Sequence, residues 1–399
     1  MNQISQAKAL TGIRVVDLSR VLAGPYCAQL LADMGADVIK VEGPGGDENR
    51  KWPPLLSDSS TNFSSVNRGK RSIALDLKSK AAQKVMFRLV KWADVLVHNF
   101  LPATATKLNI SYERMREINP RLIFCSISGY GEKGPLREKP GYDSTLQAFS
   151  GIMATTGEPD GGPVRVGVSF IDIATGISAY AGIASALLVR HKTGAGTHVH
   201  ASLLETAVSC LGFHAVGWLQ AKQLPVRAGS GTSNIVPYQA FQCKDGLLVL
   251  GAPNEGAWLR LCKAFNDPEL AKDERFKDNP SRVKHRDILI PILEQKFLAN
   301  TREHWSVAME EAGLAVAPIN RVDEVLNHPQ VLANDMIVFA EDESGNKQPL
   351  IGTPFKLADG GGTATSAPPG QNAHRDTILS HDLGFSDAEL AALKNEGLG

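Results

Sequence analysis

The stretch IRVVDLSRVLAGPYCAQLLADMGADVIKVE, residues 13–42, decides the fold. Residues 13–19 are rich in Ile and Val and read as a buried strand. Ala23-Gly24-Pro25 interrupts the run, and Pro25 suits a helix start. Residues 26–34 follow as a short helix that Gly35 ends, and ADVIKVE (36–42) is the next strand. A strand, a helix and a strand in so few residues form a βαβ unit, whose crossover is right-handed and whose strands are parallel.

Outward from this unit the pattern repeats. KRSIALDL (70–77), DVLVHNF (94–100) and RLIFCSISGY (121–130) read as strands. Helices are expected over 79–92, near 103–108 and over 111–118. The class is α/β, with a parallel sheet covered on both faces. Residues 131–170 are rich in Gly and Pro and read as loops, with a helix near 143–153. A long apolar helix is expected over 173–191, buried in the core rather than crossing a membrane; THVHASL follows as a strand, then a helix to about 221. Residues 222–236 read as a linker. The chain then changes character, with paired strands about Lys244-Asp245-Gly246 and helices near 255–266, 281–299 and 302–312. The expected organisation is a large domain of 1–221 with 330–399 and a small α+β domain of 225–329. Residues 359–373 look like an exposed connection, and Ser386 with Glu389 has capping-box spacing.

Composition narrows the function. The 399 residues are 43% hydrophobic, and Lys plus Arg equals Asp plus Glu at 42 each. That balance gives no basic excess for nucleic acid. Five cysteines without CxxC spacing fit a reducing compartment, and MNQISQAKALTG lacks a signal-peptide pattern, so a cytoplasmic location is expected.

An open parallel sheet binds at the carboxyl ends of its strands, so the loops after Asp17, Glu42 and Phe100 are the places to search. None has the GxGxxG of a dinucleotide site, and no phosphate-binding P-loop motif is present. Gly43-Pro44-Gly45-Gly46 reads as a turn. His198 and His200 alternate on one strand and face the same way, but with no third ligand beside them in sequence no metal is expected. Asp172 stands out as a carboxylate among apolar residues, in VSFIDIATGISAYAGI. It reads either as the N-cap of the following helix or as a functional carboxylate shielded from water, and the two are compatible.

Several long segments carry a resemblance. LTGIRVVDLSRVLAGPYCAQLLADMGADVIKVE, SVNRGKRSIALDL, DVLVHNF, FCSISGYGEKGP, GYD and HKTGAGTHVHASL together resemble the class III CoA-transferases, the CaiB/BaiF family, from Leu10 to about Lys356. DLSRVLAGP, SVNRGKRSIA, PVRVGVSFIDIATG and IVPYQAF are similar to the branch acting on dicarboxylates such as succinate and hydroxymethylglutarate.

The resemblance implies a large Rossmann-like domain, a small domain and an interlocked homodimer. It implies an acyl-CoA substrate, with succinyl-CoA the expected donor, and a carboxylic acid acceptor, with no permanently bound cofactor. Asp172 matches the family's nucleophile, which passes through an acyl anhydride and an aspartyl-CoA thioester. Leu22, Ala23, Leu75, Asn99, Phe100, Thr104, Lys107 and Leu108 match CoA contacts, and Tyr142 an active-site tyrosine. Gly43 stands where relatives carry a basic residue, so Arg137 and Lys139 are possible substitutes. Arg50 and Arg165 are the candidates for the acceptor's distal carboxylate, since Arg grips a carboxylate at two points. AGSGTSN (228–234) falls near a glycine-rich lid of some members.

The rival within the fold is an α-methylacyl-CoA racemase. Those enzymes use a GHD motif, whereas this chain has Gly141-Tyr142-Asp143, and tyrosine is a poor base near neutral pH. A non-catalytic CoA-binding protein would lack the carboxylate that Asp172 supplies. Succinate, glutarate, citramalate, itaconate, mesaconate and oxalate all stay open as the acceptor.

Overall fold

The structure, a computed structural model, describes residues 8–57, 59–342, 344–359, 361–364 and 366–398. The first seven residues, on which the reading of the N-terminus partly rests, lie outside them. The chain divides into two compact units, Met1–Ser150 with Gly167–Cys210 and Pro329–Gly399, and Gly151–Val166 with Leu211–His328.

The larger unit is built on a six-stranded sheet: β1 (Arg14–Asp17), β2 (Asp37–Glu42), β3 (Lys70–Ala74), β4 (Val95–His98), β5 (Ile123–Ser128) and β6 (His198–Ser202). All neighbours are parallel and the order is β3-β2-β1-β4-β5-β6. Val16 pairs with Ile39 on one side and Leu96 on the other, and all three are fully buried. Val85, Met86 and Leu89 of the helix Lys80–Trp92 close over them. Each such side chain contributes about 1.5–3 kcal/mol by leaving water. The strand order reverses direction between β1 and β4. Connections leave these two strands towards opposite faces, so a crevice opens at their carboxyl ends.

The outer edge of the sheet is covered by the end of the chain. Asn372 Oδ1 accepts from Ala74 N at 2.8 Å, His374 Nδ1 from Ser72 N at 3.2 Å, and His374 N donates to Ser72 O at 3.0 Å. The segment 359–373, expected as an exposed connection, therefore serves partly as a blunt for an open strand edge; residues 360 and 365 lie outside the described set. Deeper in, Asp33 accepts from Arg68 at 2.9 and 2.6 Å, from Thr353 Oγ1 at 2.8 Å and from Ala364 N at 2.9 Å, all buried. One carboxylate thus ties the first helix, Ala23–Asp33, to the C-terminal segment.

The long apolar helix runs Phe170–Thr193, slightly beyond its expected span. It is not a buried core helix. Thr175, Gly176, Ala179, Ile183 and Ala186 face inward, while Ile177, Leu188 and Val189 are exposed. The helix expected to run on to 221 is broken at Gly212, whose φ of 51° turns the chain, giving Leu203–Cys210 and Phe213–Ala221.

The second unit is α+β. A three-stranded antiparallel sheet of Tyr238–Cys243, Gly246–Gly251 and Ala315–Pro318 packs with helices around Phe241, Trp258, Phe276 and Phe297. The helix expected over 281–299 breaks at His285 into Asn279–Lys284 and Arg286–Phe297. Residues 228–234 lie in this unit, where Gly229 N donates to Gly157 O at 3.0 Å.

Breaking a buried ion pair strands a charge and costs about 3–5 kcal/mol, whereas an exposed pair contributes under about 1 kcal/mol. Asp33→Ala is therefore expected to lower the urea midpoint sharply. Glu117→Ala, which removes the exposed pair with Arg114 at 2.9 Å, is expected to leave it nearly unchanged.

Candidate active site

The crevice between β1 and β4 is walled by the loops that follow the strands. The loop after β1 is the most constrained. Val21 has φ of 70°, a conformation a β-branched residue adopts only under strain of about 1–3 kcal/mol. Its surroundings hold it there. Val21 N donates to Asp47 Oδ1 at 3.3 Å, and Val21 O accepts from Asn49 Nδ2 at 2.7 Å. Arg20 N donates to Asn99 Oδ1 at 3.0 Å while Asn99 Nδ2 donates to Arg20 O at 2.8 Å. Below, Lys40 Nζ donates to Ser19 O at 2.9 Å and pairs with Asp47 at 2.8 Å. Lys70 pairs with Asp17 at 2.8 Å. Asn99, expected as a ligand contact, is thus also the clasp between the loops after β1 and β4.

Asp172 sits in the first turn of the Phe170–Thr193 helix, but it is not the cap. The N-cap residue is Ser169, whose side chain makes no capping bond. The free amides are satisfied by Asp143, whose Oδ2 accepts from Ile171 N at 2.9 Å and Asp172 N at 3.2 Å. Gln147 Nε2 donates to Asp143 Oδ1 at 2.6 Å. The N-cap reading of Asp172 is corrected: a residue from another helix, Asp143–Phe149, does that work. Among the described residues no group donates a hydrogen bond to the Asp172 carboxylate. Burial, and secondarily the charge of Asp143, pushes its pKa up to about 7.

Gly176, one turn after Asp172, explains the placement. A Cβ there would lie 2.7 Å from Ala23 O. Only glycine lets the helix approach the loop after β1 so closely, which brings the Asp172 face to the crevice. Gly129 and Gly141 meet in the same way, each Cβ position being within 3.0 Å of the other's Cα. Their contact closes the neck of the loop between β5 and Tyr142.

One cavity gathers Asp172 with six expected residues, Leu22, Ala23, Asn99, Phe100, Thr104 and Tyr142. It also includes Arg20, Glu48, Ser128 and Leu203, which sequence reasoning missed. Arg20 stands within the quoted DLSRVLAGP, and its position at the end of a strand was the available signal.

Other expected residues lie elsewhere. Arg50 is corrected as a substrate ligand. It is buried in a two-point pair with Glu42 at 2.8 and 2.7 Å, donates to Pro369 O at 3.0 Å, and stacks on Phe63 with its guanidinium carbon 3.5 Å from the ring centre. Leu75 is a core residue, and Leu108 packs against the same core, so neither side chain is presented to the cavity. Lys107 is exposed one helical turn beyond Thr104. Arg137 pairs with Glu138 at 3.6 Å and Lys139 lies 5.5 Å from the centre of the Tyr130 ring, both off this cavity wall. Arg165 belongs to the second unit, where its exposed guanidinium donates to Val166 O at 3.3 Å.

Comparisons with known proteins agree on one family. Residues 10–375 match the model of CoA-transferase family III. The chain is 37% identical over 399 residues to succinyl-CoA:glutarate CoA-transferase of Homo sapiens, covering all of this chain and 91% of the relative. It is 40% identical over 357 residues to succinate–glutarate CoA-transferase of Agrobacterium fabrum (strain C58 / ATCC 33970), covering 88% and 89%. Among solved structures, a CaiB/BaiF family protein from Brucella suis superposes with a TM-score of 0.86 at 38% identity, covering 94% of this chain and all of that one.

The Asp172 carboxyl is expected to titrate near pH 7. Asp143→Asn removes a neighbouring negative charge, so the midpoint moves down. It stays above the ordinary 3.8, because burial is the larger cause. Carbon-detected NMR on labelled aspartate reads this directly, and an unmoved midpoint refutes the electrostatic assignment.

Proposed function

The chain belongs to CoA-transferase family III and is an enzyme of that class; from this premise we propose that it moves CoA from succinyl-CoA to glutarate or a related dicarboxylate, with Asp172 as nucleophile. The observation that carries the mechanism is the Asp172 carboxylate, free of hydrogen bonds among the described residues and facing the cavity. Desolvation leaves such an oxygen reactive, and a site closed to water protects anhydrides from hydrolysis.

A balanced sequence follows. Asp172 Oδ attacks the acyl carbon of the donor thioester and the CoA thiolate leaves, giving a mixed anhydride. The thiolate attacks the aspartyl carbonyl and expels the donor acid, giving an aspartyl-CoA thioester. The acceptor carboxylate attacks that carbonyl and releases the thiolate. The thiolate then attacks the acceptor's carbonyl in the new anhydride, freeing the product thioester and the Asp172 carboxylate. No proton is transferred in any step, so a general base is not needed. This agrees with a tyrosine, Tyr142, in the place where a racemase has histidine.

Leu22, Ala23, Asn99, Phe100 and Thr104 receive the thioester end of CoA in this reading, and the exposed Lys107, one helical turn beyond Thr104, is assigned to the phosphates. With Arg50 committed to Glu42, the distal carboxylate falls to Arg20, the cation on the cavity wall among the described residues, or to Arg165. The five free cysteines fit a reducing, cytoplasmic setting.

The chain acts as a homodimer. The helix Phe213–Ala221 has no buried residue, and Phe213, Trp218 and Leu219 are exposed along it. Ile177, Leu188 and Val189 are exposed on Phe170–Thr193. Apolar surface of this kind marks an interface, and a second copy of the chain is the partner proposed here.

Asp172→Ala is expected to lower CoA exchange by on the order of a thousandfold or more in a mass-spectrometric donor–acceptor screen. Hydroxylamine added during turnover should label Asp172. Solvent deuterium entering the α-carbon without acceptor would identify a racemase instead. With the wild type, kcat/KM should fall as pH drops below about 7, where the nucleophile takes up its proton.

Arg20→Ala and Arg165→Ala are to be compared on succinate and on a monocarboxylate. The residue that grips the distal carboxylate is expected to raise KM roughly 10–100-fold for succinate alone. Equal effects on both acids would remove it from that role. Light scattering should give a dimer, and Phe213→Glu with Leu219→Glu should shift the population towards monomer.

A further inference from the structure

A second cluster lies at the edge of the sheet, outside the transfer chemistry. His198 and His200 project from the same face of β6, with ring centres 3.7 Å apart. The sequence offers no third ligand beside them, but the fold brings one from the loop after β5. Glu132 Oε1 lies 3.3 Å from His198 Nε2, and Glu132 Oε2 lies 2.6 Å from His200 Nδ1. One potential ligand atom from each of the three residues falls within 4.8 Å of the others. We propose that Glu132, His198 and His200 hold a divalent transition-metal ion of the zinc type.

The donor set is two imidazoles and one carboxylate, which suits zinc and its first-row neighbours. Ligand atoms about 2.0–2.1 Å from one tetrahedral centre are about 3.3–3.5 Å apart. The Glu132–His198 separation already has that length. The Glu132–His200 hydrogen bond opens by a small rotation of the carboxylate when the ion replaces its proton. The surroundings supply support. Ser126 Oγ lies 2.7 Å from His198 Nε2 and accepts from His98 Nε2 at 3.1 Å, since His98 Nδ1 already accepts from Phe100 N at 3.2 Å; the Ser126 hydroxyl gives up its bond to His198 when that ring commits its lone pair. Arg137, a cation on the wall of the adjoining cavity, is drawn away to Glu138. His200 is exposed, which leaves an entry path and an open position for water.

The ion would act as a staple. Glu132 is in the loop that starts at Gly129 and ends at Gly141, Tyr142 and Asp143. A metal joining it to β6 fixes the start of the loop whose end caps the nucleophile's helix. Phe100, Ile127 and Ser128 line both this neighbouring cavity and the one holding Asp172, so the two sites share a wall.

The test uses the full chain, with any affinity tag removed and metal stripped by a chelator. Calorimetric titration with Zn2+ should show saturable binding of one ion per chain. Co2+ should give the visible d–d absorption of a four-coordinate site. Hydrogen exchange in residues 129–142 should slow on loading. Glu132→Gln and His200→Asn, each checked for native circular dichroism, should weaken binding at least about tenfold. Any of three results overturns the proposal: no saturable binding, binding untouched by both substitutions, or exchange in 129–142 identical with and without metal, which would leave a hydrogen-bonded cluster only.

Discussion

The hydrogen bonds from Ile171 N and Asp172 N to Asp143 are the interaction on which the site depends. A helix N-terminus must satisfy its free amides, and the nearest carboxylate usually does so. Were Asp172 that carboxylate, its oxygens would be held by amide donors, its pKa would be low and its nucleophilicity poor. By bringing in a carboxylate from elsewhere, the fold satisfies the amides and leaves Asp172 free. The same substitution places a second negative charge nearby, which adds to burial in raising the Asp172 pKa. One pair of bonds therefore leaves the Asp172 carboxylate free and tunes it.

That arrangement requires two close backbone approaches and one strained loop. Gly176 lets the helix that carries Asp172 touch Ala23, and Gly129 with Gly141 lets the loop return to deliver Asp143. The strain at Val21 is offset by a buried polar layer in which Asp17, Lys40, Asp47 and Lys70 are paired, each almost fully buried. Such pairs contribute little net stability, since desolvation consumes most of the attraction. Their value lies in geometry: Lys40 reaches Ser19 O, and Asp47 reaches Val21 N. The charged layer under the crevice is best understood as the mould for the loop after β1.

Much of the fold was legible because the larger unit is built from local signals. The Ile- and Val-rich runs, Gly35 and the strand spacing place five of the strands without tertiary knowledge. The carboxyl-end rule directs attention to the loops after Asp17, Glu42 and Phe100, and the family resemblance picks out Leu22, Ala23, Asn99 and Phe100 beside them. The failures share a physical cause, a partner distant in sequence. Arg50 reads as a ligand until Glu42 is found against it. Asp172 reads as a cap until Asp143 arrives from another helix. The histidines of β6 lack a third ligand until Glu132 is brought beside them. The segment 359–373 reads as exposed because glycines and prolines carry no sign that they lie along a strand edge. Burial of the Phe170–Thr193 helix fails for a different reason: its composition is that of a covered helix, but Ile177, Leu188 and Val189 stand exposed along it.

Placement at the strand-order reversal also accounts for why a carboxylate can work here. In the proposed mechanism the nucleophile must exchange between an anhydride and a thioester without being trapped as either, so both bonds must be of similar energy. A serine ester would be too stable towards a carboxylate, whereas an aspartyl carbonyl can be attacked by either partner. The protein must then do two things: keep water out, and hold two leaving groups close by in turn. A crevice with rigid strands on its floor and narrow loops on its walls does both with few polar contacts to the reacting atoms. The cavity sets Asp172 beside apolar surface from Leu22, Ala23, Phe100 and Leu203, with Arg20 and Glu48 as the other charged groups on its wall. Specificity for the acid then rests on whichever cation meets its far end, and it can change without disturbing the chemistry.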